Sequence, residues 1–283
     1  MTTSNALKTV LLLGLLSALL IFGGQALAGR TGLYFGLAMA VLMNFTSYFF
    51  SEKIALSMYR AQPVNETENA EIYNRVGPLV RNLCQRMGLP MPKLWLIPEE
   101  SPNAFATGRN PEHASVAFTY GVLKLMDDRE LEGVIAHELG HVLNRDILIS
   151  SIAATIASAI TSLTYIGFFM GGRHDDDDRG SNPLVAMLMI MLGPLAASLI
   201  QMAISRTREF SADGAAAKYT GSPYGLISAL QKLDGWSRRI PMEATPATAH
   251  MFIVKPFTGQ GLLKLFSTHP PMEERIARLQ AIR

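Results

Sequence analysis

The sequence predicts a mainly α-helical integral membrane protein: four transmembrane helices and one compact cytosolic domain that carries a small β-sheet. Three observations lead there. Only 17% of the 283 residues are charged, against about a quarter in a soluble globular chain, and the mean hydropathy is positive. The deficit is confined to four uncharged runs, Thr9–Gly29, Thr31–Ser51, Ile147–Gly172 and Leu184–Ser205. Each reaches the roughly 20 residues that cross a bilayer as a helix. The remainder is long enough for one compact domain. A net charge of +2, with no basic stripe, no interleaved aromatics and no Gly-rich phosphate loop, gives no footing for nucleic acid.

Residues 1–51 read as a hairpin of two spans turning at Gly29-Arg30-Thr31-Gly32. A cleaved signal peptide ending at Ala26-Leu27-Ala28 is the alternative, and the later segments have the same orientation in both cases. Lys8, Lys53, Arg60, Arg145, Arg206 and Arg208 flank the runs on the side of the main domain, against Arg30, Arg173 and Arg179 on the other. This excess sets residues 52–146 and 206–283 in the cytoplasm, with residues 147–205 as a second transmembrane hairpin. The third and fourth runs contain Ser, Thr and Gly, so a buried hairpin within the folded domain competes with spanning. Asp175 to Asp178 then form a solvated external loop, with a calcium site as the weaker reading. Between the second and third runs, Ala114–Thr119 reads as a strand whose open edge can hold an extended peptide by main-chain bonds, with a plain core strand as the alternative. Cys84, the single cysteine, reads as core filler on a helix. Pro270-Pro271 start a last helix, Met272–Leu279, with His269 as its cap.

The most specific signal is His137-Glu138-Leu139-Gly140-His141. Two residues four apart on a helix are rotated by roughly 40° and offset by about 6 Å, so both imidazoles point the same way and can hold one zinc ion. Glu138 then leans over the open side of the metal, where it can take a proton from water. The bland reading is a pair of satisfied core histidines. The setting is a helix capped by Asp127, with Glu130 reaching back as in a capping box. Leu131, Val134, Ile135, Leu139 and Val142 form a stripe at helical spacing. Gly140 offers a bare position where another backbone comes close. If this helix continues, Ile147 lies about 9 Å beyond His141, which puts the metal near the membrane surface and runs the helix into the third span.

A catalytic zinc takes three protein ligands and keeps one position open. Asn144 and Ile147 stand where a metzincin has Gly and His, and the reversed His-x-x-Glu-His order is absent, which leaves a Glu on a later helix. Glu209, just after the fourth run on the cytoplasmic side, is the strong candidate; a surface carboxylate paired with Arg206 is the alternative. Asp213 lies four residues on, on the same helical face, and can accept the free ring N–H of a ligating His. Asp146 is too close in sequence to His141 to reach the same ion.

Four ordered segments carry a family resemblance: Pro102 to Gly108, His137 to Asp146, Arg208 to Asp213 and Ser267 to Pro271. Together they resemble the M48 family of zinc metalloproteases over nearly the whole chain, and its bacterial membrane-bound heat-shock branch in particular. The resemblance implies a gluzincin-like core, with one zinc on His137, His141 and Glu209 and with Glu138 as general base. It implies an inner-membrane endopeptidase facing the cytosol that removes misfolded membrane proteins under stress. It makes Asn103, Ala104, Phe105 and Ala106 part of a strand that flanks the substrate, with a plain core strand as the alternative. It also gives His269 and Arg275 parts in the substrate pocket, His269 as a donor to the developing oxyanion. Two other functions stay open: a dedicated processing protease for lipidated or membrane-bound substrates, and a non-catalytic membrane scaffold with structural zinc.

Overall fold

The computed structural model describes residues 3–152, 206–237 and 270–282. The third apolar run beyond residue 152, the fourth run, the acidic segment 175–178 and His269 lie outside the described residues.

Helix α1 (Thr3–Met58) is helical throughout yet folded back on itself. Gly29 takes φ +57°, a left-handed conformation that glycine adopts without cost. Asn44 Nδ2 donates to Ser17 Oγ at 2.8 Å across 27 residues, a separation of about 40 Å in a straight helix. The two limbs touch backbone to backbone: a Cβ on Gly24 would stand 2.3 Å from the Gly32 carbonyl oxygen, and one on Gly36 would stand 2.2 Å from that of Leu20. The expected turn at Gly29 is therefore present. Gly29–Met58 is long and apolar enough to cross a membrane, with mean hydropathy 1.5, and Leu7–Phe22 is a shorter apolar helix. Phe22, Tyr34, Phe35 and Val41 on these limbs are largely exposed.

The part that follows α1 is built on a four-stranded sheet of order β1-β2-β4-β3, with β1 Gln62–Val64, β2 Lys93–Ile97, β3 Ala104–Gly108 and β4 Ala114–Thr119. β2 and β4 are parallel, and β3 runs antiparallel to β4 along one edge, with Ala106 opposite Val116. Both faces are covered, so every residue of β4 is buried. Leu94, Leu96, Val116 and Phe118 face the main core. Ile97, Phe105 and Ala117 face the end of α1 at Ala55 and Leu56. A polar link ties that end of α1 to the sheet: Trp95 Nε1 donates to Ser115 Oγ at 3.0 Å, and Ser115 Oγ donates to Glu52 at 2.7 Å.

Helices α2 (Ala70–Met87), α3 (Tyr120–Leu125) and α4 (Asp128–Leu143) complete the first part, and α5 (Arg206–Thr220), α6 (Tyr224–Ser237) and α7 (Met272–Gln280) the second. Cys84 on α2 is buried in the core, and burial pushes its thiol up to about 11, out of reach of nucleophilic work. Helix α4 runs through the centre. Its capping box is present as expected: the Asp127 side chain accepts from the Arg129 and Glu130 N–H groups, and Glu130 Oε2 accepts from the Asp127 N–H at 2.9 Å. Glu130 is also held by Ser228 and Lys232 of α6, each at 2.6 Å. Two glycines let neighbouring helices close in on α4. A Cβ on Gly133 would lie 2.6 Å from Leu226 N, and one on Gly140 would lie 3.1 Å from Ala212 Cα.

Helix α4 does not continue into the third apolar run. It ends at Leu143, Arg145 takes φ +57°, and helix resumes at residue 147. The reversal lets the Asp146 N–H return to the His141 carbonyl at 3.2 Å.

Candidate active site

Three helices bring the site together. α4 supplies His137, Glu138 and His141, α5 supplies Glu209 and Asp213, and α7 supplies Arg275. The bare Gly140 lets α5 approach α4 closely enough for Glu209 to face both imidazoles. His137 Nε2 and His141 Nε2 are 3.3 Å apart. Glu209 oxygens lie 3.8 Å from His137 Nε2 and 3.6 Å from His141 Nε2. All three ligand atoms fall within 4.8 Å of one another. Donors about 2.1 Å from a tetrahedral zinc stand about 3.4 Å apart, against 3.3 to 3.8 Å for the nearest atom pairs here, so the group suits such an ion. Two imidazole nitrogens and one carboxylate also match zinc better than calcium or magnesium, which take oxygen.

Each imidazole is fixed from behind by a carboxylate. His137 Nδ1 lies 2.9 Å from Asp213 Oδ1. His141 Nδ1 lies 3.3 Å from Asp146 Oδ1 and 3.4 Å from Oδ2. An Nδ1–H donated to each carboxylate leaves Nε2, the ring atom turned toward Glu209, as the nitrogen that can bind a metal once it has lost any proton. Burial opposes a charge on His141, but the carboxylates of Asp146, Glu209 and Glu138 outweigh it and push the pKa of the metal-free ring up to about 10.

Arg275, assigned by resemblance to the substrate pocket, is wholly buried behind the metal group. Its Nε donates to Asp213 Oδ2 at 2.9 Å and its Nη2 to Oδ1 at 2.6 Å, and Nη1 lies 3.8 Å from Glu209 Oε2. Burial alone would raise the Asp213 pKa; the Arg275 guanidinium and the His137 hydrogen bond overcome it and hold the carboxyl below its usual range.

Glu138 is 5% exposed and burial pushes its pKa up. Its Oε2 accepts from the Ala106 N–H at 2.9 Å, so the acid sits between the metal group and edge strand β3. In an antiparallel edge strand alternate residues turn their backbone polar groups away from the partner. Ala106 and Gly108 do so here, the Gly108 N–H meeting Ser151 Oγ at 3.3 Å. Asn103 is buried at the head of the strand, its carbonyl accepting from the Thr119 N–H at 2.9 Å. Ala104 lies in the main core, and the Phe105 ring points away from the site, 5.5 Å from that of Tyr59. Of the four expected strand residues, Ala106 is thus the one brought to Glu138, through its backbone. Met272–Gln280 forms the last helix after Pro271, as expected. Asp146 is the site residue that sequence reasoning misses; an Asp five residues past a ligating His is the available signal.

Two imidazoles, a carboxylate and a buried acid against an edge strand define a metallopeptidase. The profile of peptidase family M48 matches residues 68–283. The chain belongs to that family. Proteins described as protease HtpX homologs are similar to it over nearly their whole length. That of Desulfatibacillum aliphaticivorans is 53% identical over 99% of this chain and 90% of its own. That of Thermodesulfovibrio yellowstonii is 53% identical over 98% of both. That of Ralstonia pickettii is 52% identical over 97% of this chain and 96% of its own. The crystal structure of S. mikatae Ste24p shares the fold with a TM-score of 0.52 at 18% identity, covering 97% of this chain and 64% of that one.

Proposed function

We propose that this metalloprotease is a zinc endopeptidase of the bacterial inner membrane, its site facing the cytoplasm, that cleaves misfolded or damaged membrane proteins. The observation that carries the reading is the closure of His137, His141 and Glu209 within 4.8 Å beside a buried Glu138. Three protein ligands and one acid placed as base fit an open catalytic site rather than a closed structural one. Zinc bound there supplies Lewis acidity, which polarises a peptide carbonyl and makes water a nucleophile near neutral pH. Glu138 accepts the proton of the attacking water and hands it to the leaving amine, with no covalent acyl-enzyme. His137 and His141 present their Nε2 atoms because Asp213 and Asp146 hold the opposite ring nitrogens. An extended substrate pairs with the outer edge of β3 through main-chain bonds, which gives cleavage little sequence preference. The Ala106 N–H, engaged by Glu138 at 2.9 Å, is the group it competes for. His269 donates to the developing oxyanion.

The reversal at Gly29 supports a transmembrane hairpin over residues 1–51. Residues 52–146 and 206–283 then form one cytosolic domain, and residues 147–205 a second hairpin. Protein purified in detergent with zinc should cleave casein, lose cleavage on chelation and regain it with zinc. Undiminished cleavage by the chelated, metal-free protein would overturn the reading.

A further inference from the structure

We infer that Asp146 is a positioning residue for the metal centre, orienting His141 as Asp213 orients His137. The inference rests on His141 being a metal ligand. Three observations support it. Asp146 is 2% exposed, and both its carboxylate oxygens lie within 3.4 Å of His141 Nδ1, on the side of the ring away from His137 and Glu209. The backbone is bent to put it there. Helix α4 stops at Leu143, Arg145 takes a left-handed φ of +57°, and the Asp146 N–H comes back to the carbonyl of His141 itself. A non-glycine residue is strained in that region, and the surrounding contacts must offset the strain. Arg208 Nε, on the same helix as Glu209, lies 4.0 Å from Asp146 Oδ2.

The two halves of the centre are then built alike. His137 is backed by Asp213 and Arg275, and His141 by Asp146 and Arg208. Each ring has one nitrogen committed to an acid, so its other nitrogen is the only one left to bind metal. Asp146 also marks the junction where the chain leaves the metal helix for the helical residues 147–152, with the Ser150 N–H 3.5 Å from the Asp146 carbonyl. The ring of His141 is therefore oriented by the start of the next element rather than by its own helix.

The test is zinc affinity by competition with a chromogenic chelator, measured in the Glu138→Gln background so that self-cleavage does not intervene. Losing such a partner weakens metal binding about 10–100-fold. Asp146→Asn, which keeps an oxygen acceptor without the charge, should weaken zinc about tenfold, and Asp146→Ala more. Thermal melting of the chelated proteins checks that each variant folds; if Asp146→Ala does not, Asp146→Asn alone decides. A purely structural role would lower the melting temperature of the chelated form and leave the zinc affinity of the folded protein unchanged, which overturns the inference. If the Glu138→Gln parent itself binds no zinc, the fault lies with the metalloprotease reading of the site, and the two failures are told apart.

Discussion

Replacing Arg275 with Met should be among the most destabilising single changes around the metal group. The guanidinium is fully buried and grips both oxygens of Asp213, at 2.9 and 2.6 Å. Met keeps an apolar stem of similar length, so little packing is lost. What remains is a carboxylate 3% exposed whose main counter-charge has gone. Breaking a buried pair from one side costs about 3–5 kcal/mol. Arg278, three residues on, serves as the comparison: it pairs with Glu274 at 3.2 Å while more than half exposed, and it lies over the Phe210 ring. Such exposed contacts are worth up to about 1 kcal/mol each. The effect should also depend on pH in a defined direction. The folded Asp213 carboxyl has a depressed pKa, so its contribution is present above the unfolded value and lost as pH falls through the folded one. The gap between wild type and Arg275→Met should therefore be widest at neutral pH and narrow toward acid. Arg275→Lys restores charge without the two-pronged grip and should recover only part. Denaturant unfolding of the chelated proteins in one detergent, at several pH values, measures all of this. An Arg275→Met protein no less stable than Arg278→Met would refute the reasoning.

Glu138 works as a base only when ionised, and burial raises its pKa above 4.5. The acid limb of kcat/KM should then lie above the ordinary carboxylate range, activity falling as pH drops through it; a limb at or below about 4 would contradict the assignment. The metal-free His141 ring holds its proton to about 10, so zinc must displace that proton. Zinc affinity should climb by roughly tenfold per pH unit between pH 6 and 9, and chelator competition showing no rise beyond the chelator's own titration would speak against it. Gly133→Ala adds a Cβ 2.6 Å from Leu226 N. The helix-propensity gain of about 1 kcal/mol is outweighed by overpacking of about 1–3 kcal/mol, so the melting temperature should fall rather than rise.

What was legible in the sequence is what local chemistry determines. The metal helix announces itself by a cap at Asp127, a counter-cap at Glu130 and a helical stripe of apolar residues, and all three are present. Ala114–Thr119 reads as a strand from its branched and aromatic residues and its ends match, but it pairs with β2 on one side and β3 on the other and so has no open edge for a peptide. β1 does not read as a strand: Gln62–Val64 is three residues long with Pro63 in the middle, and pairing with β2 alone makes it one. The stop of α4 was hidden because the left-handed residue is an arginine, which gives no turn signal. That stop is what turns Asp146 toward His141, so its role was hidden with it. Glu209 follows from the needs of a metal, which fix the number and kind of ligands, and Asp213 from its place one turn further along the same helical face. Arg275 sits in a helix rich in Glu and Arg whose local pattern gives no sign of burial, and packing against α5 buries it.

The decisive measurement is zinc content and peptide-bond turnover side by side for wild type and Glu138→Gln, purified in detergent. Both should carry one zinc per chain, with turnover lost by at least about 100-fold in the variant. Glu138→Gln protein that retains both its zinc and near-native turnover would contradict the mechanism, and wild-type protein that takes up no divalent metal would contradict the site itself.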